Sequence, residues 1–150
     1  MRFRRLKAWI AALSFAALAT APAVAQVPDP YAQQLAQQLA VADTAQTQHE
    51  FSRAAGPFSG GAAQGQGQRF VVTLRAGQAY RVAGVCDSNC SDLDLRLFDP
   101  NGALAAQDIA PDDAPVVDIT PSVTGGYTIE AGVAQCAEAS CFFAFNVYAR

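Results

Sequence analysis

The fold class read from this sequence is all-β: an antiparallel, jelly-roll-like β-sandwich of about seven to eight strands behind a short N-terminal helix. Three observations lead there. After Arg69, apolar and polar residues alternate with a period of two over most of the chain, the pattern of strands with one buried face. Turn-forming residues break that alternation at short intervals, most clearly Ala76-Gly77-Gln78 and Asp99-Pro100-Asn101-Gly102. Between those breaks no run of apolar residues recurs every three or four positions.

The chain begins with a different kind of segment. Arg2, Arg4, Arg5 and Lys7 precede an apolar run from Ala8 to Ala21, and Ala21-Pro22-Ala23-Val24-Ala25 ends it. A cationic start, an apolar middle and an A-x-A site make a signal peptide over residues 1–25, with cleavage expected before Gln26. The run falls short of the ~20 apolar residues that span a bilayer, and no second run of that kind follows. A lipoprotein anchor is not expected, because no cysteine follows the cleavage site. The mature chain is thus expected in the periplasm or outside the cell, with no membrane insertion.

Cleavage also changes the charge. All four cations of the leader are lost, leaving six arginines against 13 acids, no lysine, and a net charge near −7. A surface of that sign repels phosphate backbones, which excludes nucleic acid as a partner.

Residues 26–50 form a helical segment. Asp29 suits the N-cap and Pro30 the first turn, where a missing N–H costs nothing. Tyr31, Leu35, Leu39 and Ala42 then make a narrow apolar stripe to about residue 46, expected to dock on the domain. Residues 51–68 are rich in Gly, Ala, Gln and Ser and read as a flexible connector, with Phe58 the one anchor for a short strand.

The β-domain is expected over residues 69–150. Phe70, Val72 and Leu74 line one face of its first strand; Tyr80 and Val82 follow, then Leu93, Leu95 and Leu97 between Asp92, Asp94 and Arg96. Further strands are predicted at Ala103–Gln107, Val116–Thr120, Tyr127–Val133 and Phe142–Tyr148. The last of these (Phe142, Phe143, Phe145, Tyr148) is apolar on both faces, so it belongs in the middle of a sheet or under the helix. The expected core is Phe70, Val72, Leu74, Tyr80, Val82, Leu93, Leu95, Leu97, Ile129, Phe143, Phe145 and Val147.

Four cysteines, Cys86, Cys90, Cys136 and Cys141, all fall in the mature part, as disulfides in an oxidising compartment require. Their C-x3-C and C-x4-C spacings differ from the usual C-x2-C zinc knuckle. Three pairings are open. The local one, Cys86–Cys90 with Cys136–Cys141, is favoured by proximity, since each pair flanks a short polar loop.

Three blocks of sequence resemble the bacterial pre-peptidase C-terminal domain: Phe70 to Tyr80, Asp92 to Gly102, and Gly125-Gly126-Tyr127-Thr128-Ile129. The resemblance covers roughly residues 58 to 150. It implies a jelly-roll-like sandwich that serves as a non-catalytic accessory or binding module of exported proteins. Some collagen-binding relatives use calcium. No peptidase domain is expected beside the sandwich and two cysteine pairs are added, so the fold expectation carries over and the accessory-to-a-peptidase role is not expected.

Catalytic chemistry finds little to stand on. His49, the single histidine, lies between the helix and the connector, a poor place to hold a general base. No G-x-S-x-G occurs, and Gly65 and Gly67 lack the context of a dinucleotide loop. Acidic side chains are the one cluster. Asp87, Asn89, Asp92 and Asp94 lie close together, and Asp108, Asp112 and Asp113 share another loop. Closely spaced oxygen ligands are what calcium takes, so Asp87, Asp92 and Asp94 are the candidate metal ligands and calcium the one candidate cofactor. The bland alternative makes Asp92 and Asp94 the polar face of a strand. The function expected is therefore a non-catalytic exported binding module with a protein or glycan partner, and the competing expectation is a small hydrolase using Asp87, Asp92 and Asp94.

Overall fold

The computed structural model describes residues 26–150; the expected signal peptide lies outside the described residues. One helix, α1 (Asp29–Gln48), precedes eight strands: β1 (Ser52–Ala62), β2 (Gln66–Leu74), β3 (Tyr80–Cys86), β4 (Cys90–Phe98), β5 (Leu104–Asp108), β6 (Val116–Ile119), β7 (Gly125–Cys136) and β8 (Cys141–Ala149). They form two four-stranded sheets, β1-β8-β3-β6 and β2-β7-β4-β5, every pair antiparallel. The protein is an all-β sandwich with jelly-roll strand order, as the alternation predicts.

Period two explains the core. Val82, Leu93, Leu95, Leu97, Ile129, Phe143, Phe145 and Val147 point between the sheets and are buried, as are Val72, Leu74 and Tyr80. Phe70 differs from expectation in being half-buried, because β2 is an edge strand. Its ring still packs edge-on against Phe143 and Phe145. Inward glycines and alanines such as Ala131 let the two layers close around these rings.

The flexible-connector expectation for residues 51–68 is corrected. Most of that segment is β1, paired with β8 from Ser52↔Ala149 to Ala62↔Cys141, so the sandwich begins at Ser52. Its small residues answer to close packing. A Cβ on Gly61 would stand 2.7 Å from the Phe142 ring, and one on Gly60 would stand 2.1 Å from the Gln68 amide oxygen. Gly56 turns the strand at φ +105, a conformation open to glycine alone without strain. Composition suggested slack where backbone pairing and tight clearance impose order.

The helix docks on the outside of the first sheet. Leu35 and Leu39 are buried against Val85 and Ala144, and Tyr31 packs at a tilt on Phe142 with ring centroids 4.8 Å apart. Strand β8 is thus central in its sheet and covered by the helix, which accounts for its two apolar faces. Two details differ from the sequence reading. Pro28 occupies the N-cap position and Asp29 is the first helical residue, with no side-chain cap hydrogen bond. Beyond the apolar stripe a polar anchor takes over: the Tyr148 hydroxyl donates to Asp43 at 2.7 Å, and the Asn146 amide donates to the same oxygen at 3.0 Å. Burial, then the bond to Asp43, pushes the Tyr148 hydroxyl up to about 12.

Candidate functional site

The disulfides pair locally, Cys86 with Cys90 and Cys136 with Cys141, so the described chain holds no free cysteine. Cys90 and Cys136 are cross-strand neighbours of β4 and β7, which brings both closed loops to one end of the sandwich. Asp87 ties them together. One of its carboxylate oxygens accepts the Asn89 N–H at 2.7 Å, and the other accepts the Phe142 N–H at the start of β8. Its own N–H donates to the Phe142 carbonyl at 2.9 Å. The side chain is 1% exposed.

Asp87 is therefore separated from the other two candidate ligands. Asp92 and Asp94 lie on the outer face of β4, as the alternation predicts. Asp94 accepts from Arg96 at 3.0 Å, and Arg96 stands 3.9 Å from Glu130, which in turn takes the Arg69 Nε–H at 2.7 Å. Asp92 sits where the β4–β7 register shifts, and one of its oxygens is buried with no hydrogen-bond partner. Burial first, then the charges of Asp94 and Asp112, hold its pKa above the usual carboxylate value. Among the described residues no three His, Cys, Asp or Glu side chains converge to hold a metal ion. The calcium triad of Asp87, Asp92 and Asp94 is thus not assembled, because Asp87 turns toward the loop backbones while the other two face outward.

The second acidic loop is occupied with its own backbone. Asp108 accepts from the N–H groups of Ala110 and Val116 at 3.1 and 2.8 Å, and Asp112 accepts from that of Ala114 at 3.0 Å. These are turn-forming aspartates. His49 caps the C-terminal end of α1 through its backbone N–H and its side chain is exposed.

Two groups of interacting residues escaped the sequence reading. One is the Asp43–Asn146–Tyr148 anchor, in which the partners are more than a hundred positions apart. The other is the row Arg69, Glu130 and Arg96, which are cross-strand neighbours on β2, β7 and β4. Strand parity is the one signal that could have placed the latter three on a single face, and only with the strand order known. No helix of the described residues is long and apolar enough to cross a membrane. The paired cysteines place this chain in an oxidising setting. No family model matches the chain, and no curated protein matches it.

Proposed function

We propose that the protein is an exported, non-catalytic binding or interaction module, periplasmic or secreted, built like the pre-peptidase C-terminal domain. The observation that carries this reading is the use of the acids. Asp87 gives both oxygens to backbone N–H groups, Asp94 is held by Arg96, and Asp108 and Asp112 brace their own turns. Residues spent on holding the scaffold are not poised for proton transfer. His49 stands exposed at the C-terminal end of α1.

The resemblance itself rests on three blocks of sequence. Its three blocks fall on β2 with its following turn, on β4 with its turn, and at the start of β7, which are adjacent strands of one sheet. The cationic start, the A-x-A site and the disulfides support export, and intact mass of the exported protein is expected to correspond to a chain starting at Gln26.

A carboxylate hydrolase remains the competing reading, favoured by one observation: the raised pKa of Asp92 beside Asp94 resembles an acid–base pair. Assays of the mature chain against glycoside, ester and peptide substrates decide between them. No turnover is expected. Turnover that Asp92→Asn with Asp94→Asn abolishes overturns the module reading. The module is further proposed to need no resident metal, so melting curves in calcium and in chelator should coincide; a calcium-dependent rise lost in Asp92→Ala with Asp94→Ala would place an ion there.

A further inference from the structure

We propose that the outer face of the second sheet carries a cleft for a neutral, hydroxyl-rich ligand, a glycan in particular, floored by Gly132. The proposal rests on the binding-module reading and names its site and ligand class. A cleft of about 520 Å³ opens on that face. Two cross-strand rows build it. Gly67, Gly132 and Asp94 form one, and Arg69, Glu130 and Arg96 form the next.

The glycines of the first row differ in what they answer to. A Cβ on Gly67 would stand 2.6 Å from the Ala131 carbonyl oxygen, so the scaffold itself demands glycine there. Gly132 is under no such demand. Its nearest neighbours to a built Cβ are Arg96 Nη1 at 3.7 Å and Asp94 Cβ at 3.9 Å, ordinary contact distances, and its φ is not in the left-handed region. Glycine inside a strand weakens it and commonly marks a place where a ligand or another backbone comes close. Here no other backbone covers it, and the missing side chain leaves the floor of the cleft open.

The walls select the ligand. Two guanidinium groups face two carboxylates, so the cleft has no net charge. The charges are already matched: Arg69 with Glu130 at 2.7 Å, Arg96 with Asp94 at 3.0 Å. With two cations matched to two anions, the cleft offers a free anion or cation no net attraction. A hydroxyl needs none, because it both donates and accepts, and each arginine keeps N–H donors beyond those its carboxylate uses. Donors and acceptors set side by side in fixed geometry are what vicinal hydroxyls require. Among the described residues no aromatic ring lines the cleft, and the Phe98 ring beyond Arg69 has its face taken by that guanidinium at 5.3 Å. Recognition is therefore polar, without a stacking platform, and weak.

Titration of isotope-labelled mature protein with cellohexaose, maltohexaose and chitohexaose, followed by NMR, tests this. At least one of them is expected to give saturable shifts of the Gly67 and Gly132 amides and the Arg69 and Arg96 Nε–H signals. Filling the floor by Gly132→Leu should weaken that binding at least about tenfold, while Gly126→Ala, on the same face but three rows away, should leave it unchanged. Should the leucine variant not give a folded spectrum, Gly132→Ala supplies the same comparison with a smaller loss. Cleft signals that stay unmoved by all three sugars at about 10 mM overturn the proposal, as do shifts centred elsewhere or a response to tetra-alanine in place of the sugars. Those outcomes leave the module reading standing, since only turnover in the substrate assays overturns that.

Discussion

Asp87 shows how one side chain can be indispensable to a scaffold while looking like a ligand. Its carboxylate satisfies two backbone donors, the Asn89 and Phe142 N–H groups. Asp87→Ala leaves both without that partner in a partly buried setting, so unfolding titrations should show a loss of about 2–4 kcal/mol. A loss below ~1 kcal/mol would mean that water replaces the carboxylate. Asp92 is expected to behave in the opposite way. Its pKa is raised by burial and by the neighbouring Asp94 and Asp112, so the folded chain holds the proton more tightly than the unfolded chain. That preference stabilises at acid pH and is lost as pH rises through the folded value; above it the charged carboxylate is a cost. Asp92→Asn should therefore raise Tm at neutral pH, and the gain should shrink as pH falls toward about 4. An equal gain at both pH values would remove charge as the cause.

At the level of elements, the sandwich and the helix differ in what holds them. Leu95 is fully buried between two sheets among Leu93, Leu97 and the Phe143 and Phe145 layer. Leu39 is buried only between α1 and a thin outer cluster of Val85, Ala144 and neighbours. Leu95→Ala should cost ~2–5 kcal/mol, and Leu39→Ala about 2 kcal/mol, at the bottom of that range. Chemical denaturation of the two variants checks the order; a Leu39→Ala loss equal to or above that of Leu95→Ala would make the helix part of the main core. Strand β1 carries the lesson about legibility. Its Gly60 and Gly61 looked like a linker because composition reports side chains, whereas β1 exists through backbone pairing to β8 and clearance from Phe142 and Gln68. The strands from β2 to β8 were readable because each pays out its apolar residues at period two.

For the molecule as a whole, the two disulfides and the Asp87 bridge close one end of the sandwich. Each bond closes a short loop, at separations of 4 and 5 residues, and such loops stabilise by roughly 2 kcal/mol each through the unfolded chain. Reduction should lower Tm while leaving the β-sheet signal intact at low temperature, as read by circular dichroism. Complete unfolding on reduction at 25 °C would show that the core of this 125-residue unit is weaker than its burial implies. Peptide mapping without reductant should recover only the two local pairs.

The amino-acid sequence by itself determined the class of fold, most strand positions and the apolar stripe of α1, and it favoured the local cysteine pairing by proximity. Each of these is a local property, set by period, spacing or composition. Tertiary structure decided the rest: that β1 is a strand, that Asp87 parts company with Asp92 and Asp94, and that Arg69, Glu130 and Arg96 meet beside Gly132. A strand's sequence tells which residues share a face but not which strand lies next to it. Neighbours such as Arg69 and Glu130, 61 positions apart, come together only through the β2-β7-β4 order, which is set by how two whole sheets bury their apolar faces against each other.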